Sequence, residues 1–541
     1  AVTAARDLAA GRISRREFLT RATAMGLSIP AAYALTGAPA PAQDAPAPDG
    51  ASELRIQMEV RPLKDPRLWD WPQIANVCRG WLEYLVELEH DGTLKPMLLE
   101  GWEVSEDATV YTLRLRDGVT WTNGDTLTAD HVAHNVRRWC ESRVEGNSMA
   151  SRMGGLVDPA TGTARDGAIE VLDARTLRLT LPAPDITLMA SVADYPAAIV
   201  HPSYDGGDPA AAPLGTGPYL PVLHEVGQQA VLERNPDHPW WGEAVFGRPA
   251  LDRIVFRDYG TDPASWLAAL EAGEVDMLYE SVGEFVGILD EAGYPRSEAV
   301  TANTIVVRPN QDAEIDGRRP YADVRVRRAL ALACDNAVIL ELGYAGQGTM
   351  AENDHVCPIH PEYAELPPPP FDPAAARRLM EEAGYADFEH ELISIDDDWR
   401  KNTSDAVAAM LNDAGIPVSR RILPGAVFWE EWLNYPYSST DWNHRPLGVQ
   451  VLALAYRSGE AWNESGFSNA RFDRLLARAL GLADAAARRE VMAELQQILR
   501  DEGVIVQPYW RTIFRHFRAG VIGAEVHPSY EIHLYKLGLD G

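Results

Sequence analysis

Past residue 50 the chain alternates between two hydrophobic periods. Residues 108–116 (Ala-Thr-Val-Tyr-Thr-Leu-Arg-Leu-Arg) carry apolar side chains at every second position, as a half-buried strand requires, and 175–181 do the same. Between them Thr128 is placed to cap a helix running to Trp139, with Val132 and Val136 one turn apart. Later helices open on an aspartate followed by proline at the first helical position. Asp262-Pro263 starts one that Gly273 closes, and Asp372-Pro373 starts one that Gly384 closes. A third is predicted over 404–412, stopped by Gly415, and Ile416-Pro417-Val418 then begins an extended segment. Leu392-Ile393 reads as a short strand, and Pro367 to Pro370 as a rigid surface turn. Helix, glycine and strand in this order predict α/β lobes with mostly parallel crossovers and no internal repeats.

The first 50 residues follow another pattern. Ser14-Arg15-Arg16-Glu17-Phe18-Leu19-Thr20 precedes a weakly apolar stretch over 22–35, and Ala38-Pro39-Ala40-Pro41-Ala42-Gln43 follows it. A basic region, an apolar core and a small-residue exit make a secretory signal, and paired arginines before Phe-Leu mark the twin-arginine route. The apolar core is shorter than the ~20 residues a bilayer span needs, and Gly26, Ser28 and Pro30 interrupt it. Residues 1–50 are therefore expected to be an export signal and leader, and the mature protein to work in the periplasm.

Composition narrows the chemistry by exclusion. The 541 residues carry 79 acidic against 49 basic side chains, a formal net charge of −30, which repels nucleic acid and anionic lipid. No H-E-x-x-H, G-x-S-x-G, phosphate loop or G-x-G-x-x-G after a strand occurs, so neither a catalytic step nor a cofactor is expected. His131 and His134 lie three apart on a predicted helix but lack further ligands nearby, and read as a solvated face. His355, Cys357 and His360 share a loop with Pro358 and Pro361; they could ligate a metal, but the prolines favour a rigid structural loop. The four cysteines, Cys78, Cys140, Cys334 and Cys357, form no C-x-x-C; a disulfide is possible in an oxidising compartment, with Cys334 and Cys357 the closer pair.

Two aromatic and charged clusters remain. Asp396-Asp397-Asp398-Trp399 follows the Leu392-Ile393 strand, a set of carboxylates beside a ring that could face a cation. Asp441-Trp442-Asn443-His444-Arg445-Pro446 and Ala461-Trp462-Asn463-Glu464-Ser465-Gly466-Phe467 combine indoles with a few fixed charges. A small-molecule pocket needs that combination: area from rings and orientation from ions.

Four blocks in order resemble the dipeptide and oligopeptide family (family 5) of extracytoplasmic solute-binding proteins that serve ABC importers. They are Asp117-Gly118-Val119-Thr120-Trp121 through Leu127-Thr128-Ala129-Asp130, the turn Gly215-Thr216-Gly217-Pro218-Tyr219, the helix Asp323-Val324-Arg325-Val326-Arg327-Arg328-Ala329-Leu330 through Asp335, and Trp462-Asn463 to Phe467 with Asn469 and Phe472-Asp473. The resemblance covers about 52–541. It implies a two-lobe α/β fold of the periplasmic-binding-protein kind, with lobe I over 51–300, an extra subdomain inserted at about 90–205, lobe II over 301–506, and 507–541 returning to lobe I. It implies that the ligand is a small peptide or amino-acid-derived solute enclosed by hinge closure, that the partners are ABC permease subunits, and that the receptor is a monomer.

In peptide-binding members an aspartate of the second lobe pairs with the ligand's α-amino group, a role that the resemblance assigns to Asp441. Where the family pattern is G-D-x-x-D-P, this chain reads D-W-N-H-R-P, and Arg445 supplies a cation that admits a ligand carboxylate. The candidate ligand-binding set is thus Asp441 and Arg445 as charged anchors, Trp121, Trp399, Trp442 and Trp462 as platforms, and Asp398 and His444 beside them. Two other readings stay open: a metal-chelate or haem receptor of the same family using His355, Cys357 and His360, and a periplasmic enzyme exported folded.

Overall fold

The computed structural model describes residues 52–540 except 91, 106 and 483. The export signal and leader lie outside the described residues. The rest is an α/β structure with two lobes, each built on its own sheet and core.

The first lobe carries a five-stranded sheet in the order Tyr219–Glu225, Gln229–Arg234, Arg253–Arg257, Glu53–Gln57, Met277–Leu278. Attached to it is a four-stranded antiparallel sheet, Leu99–Val104, Val110–Leu115, Thr176–Thr180 and Ile169–Asp173. One core serves both: Leu54, Ile56 and Phe256 of the larger sheet and Leu113, Leu177 and Val132 of the smaller region belong to a single cluster. The second lobe holds a six-stranded sheet in the order Gly348–Met350, Tyr509–His516, Arg296–Pro309, Tyr437–Trp442, His390–Ile395, Val418–Leu423. Helices cover it with two further clusters, one around Leu392, Val407 and Leu411, the other around Val449, Phe472, Leu476 and Leu495.

Two strands join the lobes. Arg296–Pro309 and Tyr509–His516 pair antiparallel, with a register shift between Val300 and Thr304. Ala299 and Ile513, near one end of this ribbon, belong to the first core; Ile305, Val307 and Tyr509, near the other, belong to the second. The chain thus passes from one core to the other along a two-stranded ribbon that is irregular where it crosses.

Local chemistry agrees with the sequence reading at most element starts. Asp262 accepts from Ala264 N and Asp372 from Ala375 N, capping the helices Pro263–Glu271 and Pro373–Ala383, and Gly384 closes the latter at φ 77°. The strands predicted at 108–116 and 175–181 are Val110–Leu115 and Thr176–Thr180. Two expectations need correction. The helix predicted over 404–412 spans Asp398–Asp413, because Asp397 accepts from Arg400 N and starts it six residues earlier; Asp397 is therefore the helix cap and Asp398 its first residue. Crossovers are not mostly parallel: among the described residues parallel pairing is confined to the neighbours of Glu53–Gln57 and His390–Ile395. Connections of two to five residues, such as those between 173 and 176 and between 225 and 229, leave room only for hairpins. All four cysteines are buried thiols, so Cys334 and Cys357 are not bridged; burial pushes both up to about 12.

The Gly215-Thr216-Gly217-Pro218-Tyr219 turn is an approach of backbone to backbone. Gly217 N donates to Trp81 O and Tyr219 N to Gly80 O. A Cβ on Gly215 would lie 1.9 Å from the Trp81 carbonyl oxygen, and one on Gly217 2.6 Å from that of Gly80. Backbone cannot swing aside as a side chain can, so a methyl here forces the whole turn outward. Gly215→Ala is expected to destabilise the protein by about 3 kcal/mol, read as a lowered thermal midpoint. Gly101→Ala, in a strand with open space around it, should leave the midpoint nearly unchanged.

Candidate functional site

Where the lobes meet, two groups of ionised side chains face across the gap. The first is set by Asp441 near the end of Tyr437–Trp442. Arg400, in the first turn of the Asp398–Asp413 helix, grips its carboxylate with two bonds, Nε to Oδ1 at 2.8 Å and Nη2 to Oδ2 at 3.1 Å, and also pairs with Asp397. Arg511 comes from the connecting strand Tyr509–His516. It pairs with Glu280 on the first-lobe side and donates from Nη1 to the Tyr530 hydroxyl at 2.7 Å; that hydroxyl donates to Glu280 at 3.0 Å. The Trp399 ring packs against both arginines, with Arg511 Cζ 3.9 Å and Arg400 Cζ 4.4 Å from its centre. Burial alone would raise the Asp441 carboxyl, but Arg400 and Arg511 hold it below the ordinary carboxylate value. Solvent still reaches the group: the Arg400 side chain is 20% and that of Asp441 9% exposed.

The second group spans the lobes directly. Asp194 and Arg152, on the first lobe, bond through Arg152 Nε to Asp194 Oδ2 at 2.8 Å. Arg445 of the second lobe reaches the same oxygen with Nη2 at 3.2 Å. Arg152 also lies 4.9 Å from the Trp462 ring centre, so a first-lobe cation sits on a second-lobe indole. Burial alone would raise the Asp194 carboxyl, yet its two arginines keep it lowered. Arg445, His444 and Asp194 line a small void with Ser529 and Glu531.

The structure therefore gathers most of the predicted residues at the lobe boundary, in different company from that expected. Asp441 and Trp399 cluster around Arg400, whereas the Asp398 carboxylate accepts from Asn402 and packs over Gly283. Arg445, His444 and Trp462 form the second group. Trp442 faces the second-lobe core and donates to Glu464 at 2.8 Å, a buried carboxylate also held by Arg308 and Thr440; it supports Trp462 edge-on. Trp121 is not at the boundary. It is fully buried in the first core and donates to His131 Nδ1, so that histidine is an indole acceptor rather than a solvated face. Sequence reasoning missed Arg400, Arg511, Glu280, Asp194 and Arg152. Only Arg511 left a local signal, an arginine at the centre of the aromatic run Tyr509-Trp510-Arg511-Thr512-Ile513-Phe514.

The candidate metal ligands are used by the protein itself. His360 accepts from Cys357 N at Nδ1 and meets Arg445 O at Nε2, and His355 Nδ1 meets the Tyr456 hydroxyl. His527, Glu531 and His533 also converge. Arg79 already sits 2.8 Å from Glu531, however, and His527 spends Nε2 on Leu88 O and Nδ1 on Ser529 N.

The family described as bacterial extracellular solute-binding proteins, family 5 middle, matches residues 93–463. Heme-binding protein A of Haemophilus influenzae is 26% identical over 84% of this chain and 86% of its own length. A probable peptide ABC transporter periplasmic-binding protein of Sinorhizobium fredii is 25% identical over 90% of this chain and 93% of its own. Among solved structures, the binding protein AgaA of A. tumefaciens R10 in complex with agropinic acid superposes with a TM-score of 0.79 at 20% identity, over 90% of this chain and 99% of AgaA.

Burial keeps the histidines near the boundary neutral, pushing His444, His355 and His527 down to about 3 and His360 to about 4. In the unfolded chain each takes up a proton near 6.5, so below that pH the unfolded state binds more protons and stability falls. Five carboxyls raised by burial, Glu83 and Asp354 to about 6 together with Asp185, Asp258 and Asp398, act in the opposite direction, but ten histidines among the described residues are lowered. The thermal midpoint is expected to drop as pH is lowered from 7 to 4.5, and less steeply in His444→Asn. A midpoint flat across that range would contradict the neutral assignment.

Proposed function

The chain belongs to the bacterial extracellular solute-binding proteins of family 5, the extracytoplasmic binding components of ABC importers, and from that membership we propose that its ligand is a small peptide or amino-acid-derived solute enclosed between the two lobes. The observation that carries this is the two-bond pair of Arg400 with Asp441, stacked on Trp399 and flanked by Arg511 of the connecting ribbon with its partner Glu280.

An amino acid or short peptide offers an ammonium and a carboxylate. Arg400 and Asp441 offer their complements, and each now satisfies the other. A zwitterion entering between them replaces one ion pair by two, with Arg400 fitted to the planar carboxylate and Asp441 to the ammonium. Closing the lobes expels the water that screens these contacts, which strengthens them. Trp399 supplies apolar area, and Trp462 does the same further along the boundary. In this reading the bound molecule is held and released unchanged. Lobe I runs over 51–300 with its insertion at about 90–205, lobe II over 301–506, and the chain reaches the periplasm by the twin-arginine route to meet its permease as a monomer.

A haem or nickel-chelate ligand is less well served, because the histidines that would reach a metal are committed to backbone and hydroxyl partners.

Native mass spectrometry of protein purified from its own host is expected to release an amino-acid-containing compound from the cleft. Asp441→Asn should weaken recapture of that compound by about 2–5 kcal/mol, as losing one partner of a buried charge pair does. Because Asp397 still neutralises Arg400, the variant should fold; unchanged affinity in calorimetry would remove Asp441 from the site.

A further inference from the structure

Between Leu181 and Leu188, both buried in the first-lobe cluster, the chain turns outward through Pro182-Ala183-Pro184-Asp185-Ile186-Thr187. Ile186 makes its apolar contacts with the other lobe: it packs against the second-lobe cluster that holds Phe472, Leu476 and Leu480. Its backbone N donates to Leu480 O at 3.0 Å, taking one of the carbonyls that the helix Ala470–Leu480 leaves open at its C-terminal end. Pro184 faces Gly481, where a Cβ on the glycine would lie 3.1 Å from that of the proline. The segment is also pinned to its own lobe. Asp185 N donates to Ala108 O and the Tyr111 hydroxyl to Asp185 O. The Asp185 carboxylate accepts from Thr187 N at 2.9 Å and from its Oγ1 at 2.7 Å. One lobe thus holds out a single apolar side chain and the other receives it.

We propose that Ile186 is a latch that holds the two lobes together when no ligand is bound, and so sets how readily this receptor captures a solute without touching it. Neither Ile186 nor Leu480 belongs to the two charged groups at the boundary, and their contact needs nothing from a ligand. When the lobes part, the Ile186 side chain and its socket return to water, which is unfavourable in proportion to the apolar area uncovered. Closing again costs little, because a segment already fixed on its own lobe has few conformations left to lose. The ion pairs behave differently, since the attraction regained on closing is nearly offset by lost hydration. The apolar contact is therefore what biases the empty receptor towards the shut form. Ligand is held by that form, so its apparent affinity scales with the shut fraction.

The same geometry sets what each variant does to folding. Ile186 stands outside its own lobe's cluster, so Ile186→Asp should fold with a thermal midpoint close to wild type. Its carboxylate cannot enter an apolar socket without losing hydration, which opposes docking. Ile186→Val keeps the shape less one methyl group and should latch nearly as well.

The test uses the full chain, dialysed free of co-purifying compounds and confirmed empty by native mass spectrometry. With Pro184→Cys and Gly481→Cys together, the shut lobes bring the two Cβ atoms within the roughly 4.5 Å that a disulfide spans, and the four native thiols are buried. Oxidation with copper phenanthroline is expected to link this pair in the empty protein. Adding Ile186→Asp should slow the linking tenfold or more, whereas Ile186→Val in its place should keep most of the rate. Without the cysteine pair, empty Ile186→Asp should show a larger radius of gyration in small-angle scattering than empty wild type. No link in the empty protein would show that closure waits for ligand and would overturn the latch. Equal linking rates with and without Ile186→Asp would overturn it as well. Slower linking at an unchanged radius of gyration would reduce Ile186 to a local prop for Pro184, again against the proposal. If Ile186→Asp fails to fold, Ile186→Ser is measured in its place against the same outcomes.

Discussion

A charge taken out of water must find an opposite charge, and the meeting of the two lobes is organised around that requirement. Arginines and carboxylates line both sides of the boundary, and in the closed arrangement each has a partner within the protein. An ion pair formed in a partly dried gap is stronger than one on an open surface, but each member also loses its hydration. The two contributions nearly cancel for a pair that can equally form with a guest. A boundary built in this way can close over nothing or over a ligand with a modest difference in free energy, and that difference is what a receptor that must also release its cargo needs.

The aromatic residues make this workable. Trp399 lies under two guanidiniums and Trp462 under a third, so the cations are held at fixed positions by ring faces. Behind them a layer of neutral histidines and buried hydroxyls fixes the loop 352–363 and the segment after Trp442. This layer explains why the His-Cys-His loop resembles a ligand set without serving as one: its polar atoms hold the backbone of Arg445.

Much of the fold is legible in the chain because it is written locally. Aspartate before proline caps helices at 262 and 372, period-two patterning marks the strands at 110–115 and 176–180, and the Gly-Thr-Gly-Pro turn reports two backbones pressed together. Strand direction is less legible, since a hairpin and a crossover differ in where the chain goes next and not in the pattern of the strand itself. The site was legible in part. The block around Asp441 and Arg445 stood out by its composition, but the partners of these residues lie far away in sequence: Arg400 on another element of the lobe, Asp194 on the opposite lobe, Arg511 on the connecting ribbon. Trp121 shows the converse error. An indole in a polar stretch looks like a platform until the core it completes is known.

The first core also contains Ile513, Ala524, Val526, Tyr530, Ile532, Leu534 and Leu537, from the far end of the chain. A ribosome must therefore pass residue 537 before this lobe can finish, whereas the cluster around Val449 and Leu495 is complete by about residue 505. Synthesis order and order of completion are thus inverted: the part that emerges first must wait, with apolar surface uncovered, for the part that emerges last. A nascent chain of this topology has reason to meet chaperones early, and a stop codon just after Ile522 would keep the strand Tyr509–His516 of the second lobe and leave the first lobe open.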